Sequence, residues 1–233
     1  MTNGRAGTIV HSADGLRSQT IVDRLAATPL LCTEGGGLVA LFDDAAAGSL
    51  GAILDGSVVA AIDLGCARPL VGLRSCRADL LVRVATATLL HHDVAGPISQ
   101  ALCRRQPRLA VHQAELCTAL QEAVGNAVLH GNLEVGSGLR AKAADLGAFA
   151  DLMARRGADP VHASRPVTII ARWRGESLIL SVEDEGPGFH AASTNPAASV
   201  TAPSGRGLAE IRAACRRLSH SRGGRRVTMR FSP

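Results

Sequence analysis

The stretch from Glu115 to Asn132, ELCTALQEAVGNAVLHGN, constrains the fold most because it contains two stripes of side chains at helical spacing. The apolar stripe consists of Leu116, Leu120, Val124 and Val128. This spacing predicts a helix with one face buried in the core. The polar stripe recurs at every fourth residue and consists of Glu122, Asn126 and His130. Residues four apart share a helix face, so a carboxylate, a carboxamide and an imidazole lie in one line. An exposed face of an amphipathic helix is the alternative interpretation.

Two glycine motifs follow further along the chain. Residues 184–189 read DEGPGF directly after the apolar stretch SLILSVE, and residues 205–211 read GRGLAEI. Glycine allows the backbone to approach a ligand closely. The free N–H groups and the dipole at the start of a helix attract phosphate. Each motif alone also has a structural explanation, as a turn after a strand or as a helix cap.

Together the three blocks resemble the N box and the two glycine boxes of the Bergerat-fold (GHKL/HATPase) ATP-binding family, in the same order. The blocks read EAVGNAVLHG (122–131), DEGPGF (184–189) and GRGLAEI (205–211). Within this family they are most similar to anti-sigma-factor serine/threonine kinases. The resemblance implies an α/β chain whose residues 91–233 form a Bergerat-fold α/β sandwich, a mixed sheet covered by helices, with ATP and Mg²⁺ as cofactors.

The resemblance also assigns roles to the matched residues. Asp184 would accept a hydrogen bond from the exocyclic amine of adenine, and Asn126 would hold Mg²⁺ through its amide oxygen. Glu122 would be the catalytic residue, a general base that takes a proton from the attacking hydroxyl or water. The other residues predicted to bind the nucleotide are His130, Gly186, Gly188, Gly205, Arg206, Gly207 and Leu208. For His130, a hydrogen bond that fixes the helix end is the alternative.

Residues 1–90 are predicted to form a separate small α/β domain. Strands are expected over 8–13, 29–32, 51–56, 58–65 and 69–74, and helices over 15–27, 38–47 and 77–90. This order resembles a response-regulator receiver, with Asp14 in the acidic pocket and Asp55 at the phosphoacceptor position. Asp14 stands alone, however, and Gly72 is near the position of the receiver lysine. We therefore expect a degenerate receiver that serves in dimerisation or partner docking.

Residues 91–98, HHDVAGPI, resemble the H box of a histidine kinase, with His92 as the phosphoacceptor. Only about thirty residues separate this segment from the N box, too few for the usual helical hairpin, and Pro97 interrupts the helix. A structural histidine is therefore favoured, and phosphotransfer through His92 is kept as an alternative.

The remaining C-terminal elements follow from local pattern. Gly131 is predicted to end the N-box helix as a C′ glycine, with a second helix near 139–156. A hairpin is expected over 167–173 and 177–184, since both segments alternate and are rich in β-branched residues. Residues 189–204 lack an apolar period and are interpreted as a lid. A helix over 208–218 and a strand over 226–231 complete the domain.

The amino-acid composition excludes several classes of protein and of partner. The chain has 233 residues, of which 46% are hydrophobic and 19% charged, which is typical of a globular protein. Four Phe, one Trp and no Tyr provide no set of stacking platforms, so no nucleic-acid partner is expected. No apolar run approaches the roughly 18 residues of a membrane helix. The six cysteines have neither metal-site nor disulfide spacing, and we expect a cytoplasmic protein without a membrane partner.

The resemblance implies an ATP-binding signalling protein, similar to an anti-sigma-factor kinase that phosphorylates a serine or threonine. Its partner would be a sigma factor or the antagonist of one, and a homodimer is left open. The alternatives are an ATP-gated binding module without phosphotransfer and histidine-kinase-like phosphotransfer through His92. Glu122 favours the kinase, because a binding module needs no general base.

Overall fold

The computed structural model of the protein describes residues 7–11, 15–26, 38–54, 58–69, 78–135, 146–188 and 206–232. Its strands are Gly7–His11 (β1), Leu38–Phe42 (β2), Val58–Asp63 (β3), Leu80–Ala85 (β4), Pro166–Arg174 (β5), Ser177–Glu183 (β6), Arg217–Ser221 (β7) and Arg226–Phe231 (β8). Its α-helices are Gly15–Ala26 (α1), Asp44–Ala47 (α2), Leu50–Ile53 (α3), Thr86–His91 (α4), Ala95–Arg105 (α5), Gln113–Asn126 (α6), Leu146–Ala158 (α7), Pro160–Ala163 (α8) and Arg206–Ala214 (α9). A 3₁₀ helix, Pro107–His112, precedes α6, and a π-helical turn, Ala127–Asn132, continues it.

The eight described strands form one mixed sheet in the order β1-β2-β3-β4-β5-β6-β8-β7. The strands from β1 to β4 pair in parallel, and those from β5 to β7 pair antiparallel. β4 is the junction between the parallel and the antiparallel part of the sheet, because it is parallel to β3 and antiparallel to β5. The fold is therefore α/β with a mixed sheet, as predicted. One sheet runs through the predicted boundary between residues 90 and 91, and the division into two domains stays a prediction.

The main core lies between one face of the sheet and helices α5, α6 and α9. The apolar stripe predicted for α6 is buried in this core, from Leu116, which is 1% exposed, to Val128, which is 5% exposed. Buried residues of the antiparallel strands, such as Ile169 and Leu180, belong to the same cluster. Burial of this stripe turns the polar stripe of α6 towards the edge of the core, where its residues are half-buried.

A second, smaller core lies on the opposite face. There Ile21 of α1 packs with Val39, Leu41 and Ile62 of the parallel strands. β2 and β3 are consequently buried on both faces. The antiparallel strands β6 and β8 instead alternate, and their Ser181 and Thr228 hydroxyls hydrogen-bond to each other at 2.9 Å. Alternation of this kind is usual where one face of an antiparallel sheet faces water.

Several predicted elements are wrong. Residues 38–47, predicted as a helix, contain β2 and the short α2, and residues 77–90 contain β4 before α4. Residues 50–53 form a helix where a strand was predicted, and the helix predicted over 208–218 ends at Ala214, before β7. β2 and β4 are apolar runs buried on both faces, so they show no strand alternation. Such runs cannot be told from helices by periodicity alone.

The strand order also differs from that of a receiver. In the doubly wound order typical of receivers, the first strand lies between the second and the third. Here β2 lies between β1 and β3. The receiver interpretation of the parallel strands therefore has no support in their order. The strand predicted over 29–32 lies outside the described residues, as do the predicted lid over 189–204 and all but the first residue of the strand predicted over 69–74.

We expect Leu120→Ala to destabilise the protein by about 2–5 kcal/mol, the usual cost of removing a fully buried leucine side chain. Leu120 is 0% exposed in the centre of the main core. Urea unfolding followed by circular dichroism would measure the change. Val111→Ala is the control, because Val111 is 77% exposed and its truncation should change the free energy of unfolding by less than about 0.5 kcal/mol. Equal effects of the two variants would contradict the packing described for α6.

Candidate functional site

The loop that follows β6 packs on the end of the π-helical turn. We call residues 184–188 the glycine loop. A methyl group on Gly131 would place its carbon 2.6 Å from Asp184 Oδ1, and one on Gly186 would overlap the carbonyl oxygen of Gly131. Real Cβ atoms essentially never come so close. Both positions therefore require glycine, because the loop and the helix end leave no volume for a side chain.

The prediction that Gly131 ends the helix as a C′ glycine is wrong. The helix continues through Gly131 to Asn132, with a widened turn. Among the described residues that are not glycine, the left-handed backbone conformation occurs at Glu134, φ 52°, and at Arg222. Gly131 is needed for the close approach of Asp184 and not for its backbone dihedrals.

Asp184 is half-buried at this contact. Its Oδ1 accepts a hydrogen bond from Gly186 N–H at 2.8 Å, and its own N–H donates to the Arg225 carbonyl at 3.0 Å. Burial raises the pKa of the Asp184 carboxyl to about 6. A partly desolvated carboxylate in a fixed orientation is suited to accept a hydrogen bond from an amine of a bound base.

Gly188 closes the glycine loop against the turn between β7 and β8. Its φ is +76°, which favours glycine, and a methyl group there would overlap the carbonyl oxygen of Gly223. The Arg225 side chain packs beside it, with Cγ 3.1 Å from that methyl position. Gly186 and Gly188 thus bring the glycine loop against protein backbone on both sides, and contact with a nucleotide stays a prediction for them.

The start of α9 lies beside the polar stripe of α6. A methyl group on Gly207 would overlap Glu122 Oε2 and lie 3.4 Å from Asn126 Nδ2. The structure therefore brings a helix N-terminus, a carboxylate and a carboxamide together. Gly205 lies outside the described residues, Arg206 begins α9, and Leu208 packs against the main core.

These groups fit a divalent cation held mainly by phosphate. Asn126 offers one hard oxygen ligand, its amide oxygen, on the helix face beside the start of α9. Among the described residues there is no group of three His, Cys, Asp or Glu side chains that could hold a metal ion. Any Mg²⁺ at this position would therefore depend on phosphate oxygens and water for its remaining ligands, as Mg²⁺ commonly does.

His130 makes a contact within its own turn. Its Nδ1 lies 2.7 Å from the Val135 carbonyl oxygen, so a neutral ring with the proton on Nδ1 donates to that carbonyl. This hydrogen bond fixes the chain after the π-helical turn, which is the structural alternative raised from the sequence. A role of His130 in ligand binding stays a prediction.

Two residues that hold the glycine loop were not predicted from the sequence. Asn132 is fully buried and its Oδ1 accepts from Glu185 N–H at 2.8 Å. Arg83 of β4 pairs with the Glu185 carboxylate at 3.0 Å. Asn132 directly follows the N box and could have been noticed as a polar residue at the end of an apolar helix. Nothing in the sequence pointed to Arg83 as a contact of this loop, because its segment was predicted as a helix.

The residues predicted for a receiver-like phosphoacceptor site in the N-terminal part are not among those that the structure describes. Asp14, Asp55 and Gly72 all lie outside those residues. The carboxylate at the end of β3 is Asp63, which is fully buried and accepts from Gly65 N–H, Ala85 N–H and the Thr88 hydroxyl. His92 caps α4, and its Nε2 lies 3.3 Å from Asp44 Oδ1.

A comparison with protein-family models shows the family of the chain. The model described as a histidine kinase-like ATPase domain matches residues 85–231. No curated protein and no solved structure matches the chain. No helix in the described ranges has both the length and the apolar character of a membrane span.

We expect Gly131→Ala to lower nucleotide affinity at least about tenfold, because the methyl group displaces the Asp184 carboxylate. Gly125→Ala is the matched control on the same helix, since a methyl group there meets nothing within 4 Å. It should leave affinity unchanged and stabilise the helix by about 0.5–1 kcal/mol. Titration with a fluorescent ATP analogue and urea unfolding would measure both. Equal affinities of the two variants would contradict the contact's role.

We expect nucleotide affinity to fall as the pH is lowered through about 6, the pKa of Asp184, because the protonated carboxyl accepts from the amine more weakly than the carboxylate does. Asp184→Asn should lose about ten- to a hundredfold in affinity at pH 8 and show a flatter pH profile. Calorimetric titration at several pH values would test this. An unchanged profile in the variant would mean that another group causes the dependence.

At pH 8 Asp184→Asn should lower nucleotide affinity but raise the stability of the fold. The pKa of Asp184 is raised in the folded state above about 3.9, its value in an unfolded chain. Between these values the folded protein binds more protons, so stability is lost as the pH rises through about 6. Without nucleotide, Asp184→Asn should therefore gain stability relative to wild type at pH 8, and this gain should shrink at pH 4.

Proposed function

Because the chain belongs to the histidine kinase-like ATPase family, we propose that it is an ATP-binding signalling protein that phosphorylates a serine or threonine of a partner protein. Membership in the family implies ATP binding. The finer assignment, to a kinase of the anti-sigma-factor type, is supported by the blocks EAVGNAVLHG, DEGPGF and GRGLAEI. The observation that carries it is the contact of Gly207 with Glu122 and Asn126.

The site has two ends along one helix. At one end Asp184 lies against Gly131, and at the other Gly207 lies against Glu122. These two positions of the helix are nine residues apart, which is roughly 13 Å at the helical rise. A nucleoside triphosphate can span such a distance, with its base at Asp184 and its terminal phosphate at α9. The N–H groups at the start of α9 would then face the phosphates.

Mg²⁺ would be held by Asn126 at the phosphate end. It would neutralise charge on the phosphate oxygens and supply electrophilic activation when bound. Asn126 contributes one oxygen ligand and phosphates and water contribute the others. Charge on the phosphates would be compensated by the backbone N–H groups at the start of α9 and by the cation.

Glu122 is proposed as the general base. It lies one helical turn from Asn126 and beside the start of α9, where the terminal phosphate would bind. Its carboxylate would take the proton of an incoming serine or threonine hydroxyl. The hydroxyl oxygen then forms a bond to the γ-phosphorus, the bond from that phosphorus to the β–γ bridging oxygen breaks, and ADP leaves.

The partner is proposed from the resemblance to anti-sigma-factor kinases. It would be a sigma factor or a protein antagonist that carries the acceptor hydroxyl, and a homodimer is an additional possibility for such a kinase. The parallel strands β1 to β4 lie before residue 85, where the family match begins, or end at it. They are a candidate docking element for the partner because they extend the sheet of the ATPase domain. An ATP-gated binding module without phosphotransfer is the second candidate. It requires the same nucleotide site but no base.

We expect Asn126→Ala and Glu122→Gln to affect different steps. Asn126→Ala should weaken Mg·ATP binding, because the cation loses a protein ligand. Glu122→Gln, which is nearly isosteric, should leave binding within a few-fold and lower transfer by about 10²–10⁴, the usual cost of a lost general base. Incubation with γ-labelled ATP and candidate partners, together with nucleotide titrations, would separate the two effects.

The same assay distinguishes the alternatives. Full transfer by Glu122→Gln to a serine or threonine would show that the base is misassigned. Nucleotide binding without transfer by wild type to any partner would favour the binding module. Acid-labile phosphate on the protein that disappears in His92→Ala would favour the histidine-kinase-like reaction.

A further inference from the structure

Glu185, the second residue of the glycine loop, is held from two directions. Its carboxylate lies 3.0 Å from Arg83 Nη2 of β4, and its N–H donates to Asn132 Oδ1 at 2.8 Å. Its neighbours in the chain are Asp184 and Gly186, which make the close contact with Gly131. Two anchors on one residue, one on the side chain and one on the backbone, fix both the position and the orientation of the peptide that carries Asp184.

The Asn132 carboxamide is hydrogen-bonded at both its oxygen and its nitrogen. It is 0% exposed. Its Nδ2 lies 2.9 Å from the Thr86 hydroxyl, 3.1 Å from the Pro166 carbonyl and 3.2 Å from the Arg165 carbonyl. A buried carboxamide with all its partners in place is rigid, because each change of rotamer leaves polar groups unsatisfied. Asn132 therefore holds the Glu185 N–H at a fixed position relative to Thr86 and to the start of β5.

Both anchors of Glu185, the Arg83 side chain and the Asn132 side chain, are connected to β4. Arg83 lies within this strand, and Thr86 follows its last residue. The end of β4 is in turn fixed from β3, because Asp63 accepts hydrogen bonds from Ala85 N–H at 2.9 Å and from the Thr88 hydroxyl at 2.6 Å. A continuous series of hydrogen bonds and one ion pair thus connects the parallel strands to the glycine loop.

Burial of the Arg83 guanidinium carries a cost in desolvation. The Arg83 side chain is 5% exposed, whereas the Glu185 side chain is 46% exposed. A buried charge paired with a half-exposed partner bears a desolvation cost, and apolar replacements of buried pairs are often neutral or stabilising. What such a pair can do instead is to favour one conformation, here that of the glycine loop, over others.

We propose that Arg83 and Asn132 are positioning residues, which hold Glu185 and thereby orient Asp184 towards the base of the nucleotide. The proposal rests on the proposed binding of adenine by Asp184. Arg83 precedes the residues matched by the family, which begin at residue 85. The orientation of Asp184 consequently depends on a strand at the junction with the parallel half of the sheet.

The test uses the full chain with Arg83→Met, which keeps an unbranched apolar stem and removes the charge. Glu185→Ala is a second variant that does not threaten the fold, because this side chain is half-exposed. Arg226→Met is the matched control. Arg226 pairs with Glu183, on the other side of Asp184, and Glu183 keeps Arg222 at 2.9 Å as a second partner.

The first measurement is amide hydrogen exchange without nucleotide. Arg83→Met and Glu185→Ala should speed exchange at the Glu185 and Gly186 amides by about tenfold or more, since loosening of the loop opens both hydrogen bonds. Arg226→Met should leave both rates unchanged. Unchanged exchange in Arg83→Met and Glu185→Ala would overturn the proposal, whether or not the protein binds ATP.

The second measurement compares ATP with purine riboside triphosphate, which lacks the 6-amino group. Wild type should prefer ATP by about tenfold, the value of one hydrogen bond to a carboxylate. Arg83→Met should lose most of this preference with little change in affinity for the analogue. Equal loss for both nucleotides would overturn the positioning role and indicate a general structural defect. Binding of neither nucleotide by wild type would refute the proposed function, and the exchange result would still decide the role of Arg83.

Discussion

The contact between the end of the π-helical turn and the glycine loop is the constraint on which the rest of the site depends. Gly131 and Gly186 approach so closely that the carboxyl of Asp184 must lie against the helix end, partly removed from water. The same removal from water raises the pKa of this carboxyl to about 6. One packing contact therefore determines both where the acceptor for the base is and when it is ionised.

The rotation of α6 is fixed by the core and determines what the site contains. Leu120 and its neighbours on the apolar stripe are buried beneath the sheet, so Glu122 and Asn126 lie at the margin, where α9 begins. A change of one residue in helical register would turn these side chains by about 100° and separate them from Gly207. The apolar and the polar stripe thus cannot vary independently, because the first orients the second.

The parts of the fold that could be predicted are those with a local signal. The burial of Leu120 follows from helical spacing, and the pairing of β5 with β6 follows from alternation around a short turn. β2 and β4 were mistaken for helices because they are buried on both faces, and a strand of that kind shows no alternation. In the site, glycine motifs indicated Asp184, but the contact of Arg83 with Glu185 joins residues 102 apart in sequence. Such a contact arises only from the tertiary arrangement.

The position of β4 at the junction of the sheet has a consequence for work with fragments. β4 pairs with β5 along six residues, from Leu80 opposite Ala171 to Ala85 opposite Pro166. A fragment that begins where the family match begins would lack this strand and leave β5 as an edge. Ile169 and Ile170 of β5 are buried on opposite faces, so the new edge would be apolar on both sides with unpaired N–H and C=O groups. Edges of this kind recruit strands from other chains, and a truncated domain of this protein would tend to aggregate.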